Sequence, residues 1–123
     1  VNDDGFHVHH ITQRDREALD EALSARAAFA NGRANFRGSP FPITVLAGQL
    51  PEIWMNALRR YAVDGRLLYI VYSFQTPIAW EVRIPPNDET AWHVPHVRYS
   101  FTTSRHQRSI IAALTRLGEE ILP

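Results

Sequence analysis

Residues 99–107 read YSFTTSRHQ, a run in which three hydroxyls, an arginine, a histidine and a glutamine are adjacent. Placed at the start of a helix, Thr102, Thr103, Ser104, Arg105 and His106 would stand where unpaired backbone N–H groups and the positive end of the helix dipole favour an anion. A phosphate suits such a place. Further along the same helix Arg105, Arg108 and Arg116 fall on one stripe with Ala112, opposite the isoleucines. From Thr90 to Gly118 there is no acid, while Arg98 adds a fourth guanidinium, so the C-terminal third is basic. These residues, Thr102, Thr103, Ser104, Arg105, His106, Arg108, Arg116 and Arg98, form the candidate anion-binding or nucleic-acid-binding set. Phosphate-backbone contact is the chemistry they point to.

Each has an ordinary structural explanation as well. Ser104 and Gln107 fit a capping box, the serine accepting from the third helical N–H and the glutamine returning to the cap's own N–H. Arginine stripes are commonly solvated faces. A catalytic reading would use His106 as general base with Ser104 or Thr103 as nucleophile. Adjacent helical residues, however, point about 100° apart, so these side chains do not converge unaided. The acid that could orient His106 is Glu81, from the polar face of a strand. No glycine-rich phosphate loop, nucleophile elbow or carboxylate cluster is present, and no catalytic residue is assigned. The sequence leans towards a protein that is not an enzyme.

With no cysteine, thiolate chemistry and disulfides are excluded. HVHH at 7–10 and HVPH at 93–96 bring histidines close in sequence, but no HExxH pattern occurs and zinc needs three or four convergent ligands. No metal or cofactor is assigned. Trp80 and Trp92 could serve as stacking platforms for unpaired bases. Trp80 alternates with Ile78 and Val82 and is read as core, whereas Trp92 stays open between the two roles.

The elements that must position these groups follow from pattern. The 123 residues suit one domain, 1–123, with 1–11 prone to fraying and the distinctive region at 66–107. Thr12 precedes a helical pattern (Leu19, Ala22, Leu23, Ala27, Ala30) with Asp15 in its first turn, closed by Asn31-Gly32. RANFRGSPFP reads as a loop, ITVL as a short extended piece, and QLPEIWMNALRRYAVDG as a second helix with Ile53, Trp54, Leu58 and Tyr61 towards the core. RLLYIVYSF at 66–74 is apolar at both parities, as a central strand would be. IAWEVRI at 78–84 alternates, predicting a half-exposed strand with Glu81 and Arg83 outward. WHV at 92–94 and HVRYSF at 96–101 predict further extended structure, with Val97, Tyr99 and Phe101 inward. SRHQRSIIAALTRLGEEIL closes the chain as an amphipathic helix. The expected fold is α+β: a small, mostly antiparallel sheet packed by an N-terminal helix, a short middle helix and a C-terminal amphipathic helix.

Net charge is zero, and all 13 basic residues are arginine, which matches the codon bias of a GC-rich genome. The longest apolar run, LLYIVY at 67–72, is too short to span a bilayer, and the acidic N-terminus lacks a signal pattern; a cytoplasmic location is expected.

YSFQTPIAW at 72–80, WHVP at 92–95 and VRYSFTTSRHQ at 97–107 together resemble a family. It comprises short uncharacterised proteins of actinobacteria, their plasmids and actinobacteriophages, a domain of unknown function. Its signature is YSY-x-TPIAW followed by W-x-x-P-x-V-x-YS-x-TTS-R/K-HQ. Phe74 stands where that pattern often has tyrosine. The resemblance implies a phage or mobile-element accessory protein in the host cytoplasm and marks Thr76, Pro77, Trp80, Trp92, Tyr99, Thr102–Gln107 as signature residues without roles. DNA or RNA is the first partner class to test, a host protein the second; no membrane is implicated.

Overall fold

A computed structural model describes residues 8–12 and 16–123. The elements run β1 (Val8–Ile11), α1 (Arg16–Ser24), β2 (Ala28–Asn31), β3 (Phe36–Pro40), α2 (Glu52–Val63), β4 (Leu67–Ser73), β5 (Thr76–Ile84), β6 (Glu89–His93) and α3 (Phe101–Arg116). The six strands form one sheet in sequence order; β1 and β2 pair in parallel across the α1 crossover and every other pair is antiparallel. The α+β class expected from pattern is the observed one. Gln13–Asp15, and with them the expected cap residue Asp15, lie outside the described residues, as do 1–7.

Two apolar clusters lie on the two faces of the sheet. Leu19 and Leu23 of α1 and Ile110 and Leu114 of α3 pack with Phe29, Phe36, Tyr69, Val71 and Trp92 on one side. On the other, Met55 and Leu58 of α2 pack with Ile70, Tyr72, Trp80 and Val82. β4 is therefore buried on both faces, as its unbroken apolar run requires. The same covering corrects the reading of β5. Its alternation suggested a half-exposed strand, yet Ala79 and Glu81 are buried as deeply as Trp80 and Val82, because α1 and α3 lie over the face assigned to solvent.

Other expectations are corrected as well. The first helix ends at Ser24 rather than near Ala30, and Ala28–Asn31 is a strand. Its stop is a Schellman motif, Ala27 N–H to Ala22 O and Arg26 N–H to Leu23 O, with Arg26 in the left-handed region at φ 52°. Glycine normally takes that position, as Gly65 and Gly118 do after α2 and α3. At Arg26 the side chain holds the conformation instead, through two bonds to Glu81 and one each to Glu119 and Leu23 O (2.6–2.9 Å). Asn31-Gly32 belongs to the β2–β3 turn, where Asn31 Oδ1 accepts from the N–H groups of Asn35 and Phe36.

RANFRGSPFP contains β3 rather than being all loop. Gly38 lets β3 approach its neighbours: a Cβ there would lie 2.3 Å from the Phe29 ring and 2.6 Å from the Tyr69 hydroxyl. ITVL is not a strand, and Ile43 is 98% exposed. In α2, Ile53 faces solvent and Met55 takes the inward position.

HVRYSF is not a strand either. The sheet edge beside β6 is occupied by the C-terminal segment, with Trp92 N–H bonded to Glu120 O and Leu122 N–H to Trp92 O. Residues 94–100 instead run irregularly to α3, whose first residue, Phe101, is exposed rather than inward. At the other end of the chain, Val8–Ile11 of the segment read as prone to fraying is a strand. Among the described residues no helix is long and apolar enough to cross a membrane.

Candidate anion-binding cavity

α3 begins one turn earlier than the capping-box reading placed it. Ser100 is the N-cap, its hydroxyl accepting from Thr103 N–H at 3.3 Å. Ser104 lies inside the helix, and Gln107 donates to the Pro95 carbonyl at 3.1 Å instead of returning to a cap. That bond ties the irregular 94–100 segment to α3. The earlier start also fixes which side chains face in: Thr103, His106, Gln107 and Ile110, with His106 and Gln107 three and four residues from Thr103 and Ile110 four and three from them, are all buried.

His106 sits under this helix against β3 and β4. Its imidazole stacks on Phe36 (centroids 4.5 Å, planes 5° apart), and its Nδ1 is 2.7 Å from Ser73 Oγ, which in turn bonds Thr103 Oγ1 at 3.0 Å. Burial, with the positive charge of Arg105 adding to it, holds the imidazole down at about 4. At neutral pH His106 is uncharged. Glu81 does not orient it, because that carboxylate is engaged by Arg26 on the strand beyond. Ser73 is fully buried, so the Ser73–His106 pair meets no solvent through the serine.

Beyond His106 the groove between α1 and α3 opens into a cavity of about 340 Å³. Arg105, Arg108 and Arg116 of the predicted stripe line it, and Arg16 faces them from α1. Its inner surface is formed by Ile11, Leu19, Phe36 and His106, with Thr12, Asn31 and Ser109 contributing polar groups. None of the described lining residues is acidic. Arg116 is clamped by Asp20 of α1, Nε to Oδ2 and Nη2 to Oδ1, both at 2.8 Å, a bidentate pair that bridges the two helices. Arg105 also stacks over the Phe101 ring at 5.7 Å.

The candidate set thus divides. Arg105, His106, Arg108 and Arg116 meet at the cavity; Thr103 is turned into the core, Thr102 and Ser104 are half-buried, and Arg98 is exposed on the 94–100 segment away from it. Arg16 was not foreseen, since it belongs to a helix distant in sequence. The aligned apolar stripes of α1 and α3 were the available signal that the two pack together. Trp80 and Trp92 are both fully buried, which settles Trp92 as core. No group of three histidine, aspartate or glutamate side chains comes together among the described residues; His7 lies outside them. No family model, no curated protein and no solved structure matches the chain.

Proposed function

We propose that the protein is a non-enzymatic module that binds nucleic-acid phosphates in the α1–α3 groove, serving as an accessory protein of a phage or mobile element. The observation that carries the binding reading is the gathering of four guanidiniums, Arg16, Arg105, Arg108 and Arg116, around one concave surface whose described lining has no carboxylate. Guanidinium forks match phosphate oxygens bidentately and keep their charge at any physiological pH. The accessory role rests on the TPIAW and TTSRHQ signature alone. The contact surface is the outward face of α3 with the start of α1, in place of the helix N-terminus, where Ser100 already caps Thr103 N–H.

Fluorescence anisotropy with a labelled oligonucleotide over a salt series tests this. Engagement of about three phosphates predicts a log K against log salt slope near −2 for a single strand. Replacing Arg16 and Arg108 by alanine should reduce that slope by more than half. Salt-independent binding, or unchanged affinity in the double variant, would overturn the reading. A second reading, a host-protein partner, is favoured by one separate feature: Phe41, Ile43 and Leu46 are exposed beside the uncovered face of β2 and β3. Retention of a host protein after nuclease treatment that is lost on Ile43→Asp would support it.

A further inference from the structure

The phosphate reading uses the rim of the cavity and leaves its interior unexplained. A helix face that merely tracks a phosphate backbone needs no concavity, yet here the arginines surround a recess of about 340 Å³, within the range of small-ligand pockets. The recess ends on the stacked pair Phe36 and His106, with Leu19 and Ile11 beside them. Thr12 and Ser109 place hydroxyls on its walls.

We infer that the cavity takes an unpaired base, so that the partner is single-stranded nucleic acid whose flanking phosphates lie on Arg108 and Arg16. This rests on the phosphate reading and narrows it. A duplex offers the groove only its sugar-phosphate surface, keeps its bases stacked, and would leave the recess behind the arginines unfilled. An unpaired base covers that interior with its face and edges. Its polar edge then meets the hydroxyls of Thr12 and Ser109. His106, neutral at physiological pH, adds no charge against which a neutral base would be excluded. An acidic peptide would satisfy the arginines but has no flat apolar group adjoining every charge. The repeating pairing of one base with one phosphate is what the layout of rim and interior matches.

The test compares three ligands of equal length: a single-stranded DNA, the duplex of the same sequence, and an abasic strand with the same number of phosphates. The single strand should bind at least tenfold more tightly than either of the others at 100 mM salt. Ser109 and Ala112 are both exposed on α3, so Ala112→Leu fills the mouth of the recess without removing charge or a core contact. It should bring the three affinities within about twofold of each other while leaving the salt slope unchanged. Ser109→Leu, one turn earlier on the same face of α3, should do the same and guards against misfolding of one variant. Equal binding of intact and abasic strands by the wild-type protein would overturn the inference while leaving the phosphate reading standing. Polyglutamate binding as tightly as the intact strand would assign the groove to acidic proteins and overturn it. Failure to bind any of the strands would overturn the phosphate reading and this inference with it.

Discussion

Protonating His106 should destabilise the protein from within. In the unfolded chain an imidazole titrates near its ordinary 6.5, whereas in the fold burial and Arg105 hold it at about 4. A folded value below the unfolded one means that the unfolded chain binds the proton more readily. The stabilisation is therefore complete above pH 6.5, declines as pH falls, and is exhausted below about 4, where both states carry the charge. A separation of this size corresponds to about 3 kcal/mol in all, of which about 2 kcal/mol is lost by pH 5. That is a large part of the roughly 5–15 kcal/mol that holds a domain folded. Urea denaturation at intervals between pH 7.5 and 4.5 measures it directly. The His106→Asn variant keeps a nitrogen able to reach Ser73 Oγ and cannot take the proton. It should be less stable at neutral pH and should lose less stability on acidification, the difference in slope isolating His106 from His93, which burial also shifts down. Parallel acid slopes for wild type and variant would refute the reasoning, as would an imidazole resonance of His106 titrating near 6.5 in the folded protein.

Two further outcomes follow from charge pairs. Arg26→Ala should cost about 3–5 kcal/mol, because Glu81, 3% exposed, would be left as a buried and unpaired carboxylate; chemical denaturation measures the loss. Asp20→Ala releases Arg116 from its bidentate clamp and should steepen the salt dependence of single-strand binding by about 0.7, one additional phosphate contact, in the anisotropy assay.

Local pattern carried the element types where the burial of a segment matched its own periodicity. β4 is the clear case: apolar at both parities, it could only be covered on both faces, and it is. Pattern failed where a distant partner decided the outcome. Ala27 and Ala30 continue the helical spacing of α1, and nothing local announces that Arg26 will hold a left-handed turn by reaching Glu81 and Glu119, which are 55 and 93 residues away. Glu81 alternates as a solvent-facing residue would, and becomes buried because that same arginine neutralises it. The candidate site was legible in part for the same reason. The arginines of α3 share a helix and could be placed on one stripe, but the concavity that gives the stripe a use requires α1 to lie alongside, and Arg16 enters only through that packing.

The string TTSRHQ serves two purposes on opposite sides of one helix. Thr103, His106 and Gln107 point inward and are each held by a directional bond, to Ser73, to Ser73 and to the Pro95 carbonyl. Apolar contacts such as those of Ile110 and Leu114 tolerate small slides of a helix along a sheet, whereas hydrogen bonds to fixed partners do not. The inward residues therefore set the position and rotation of α3 against β4. With that rotation set, Arg105 and the later Arg108 face the groove, at a distance from α1 set by the packing of Leu19 and Leu23 against Ile110 and Leu114. The polar core of the motif costs desolvation, recorded in the depressed proton affinity of His106. What it provides is an arginine surface whose geometry is determined by hydrogen bonds behind it rather than by the mobility of its own side chains.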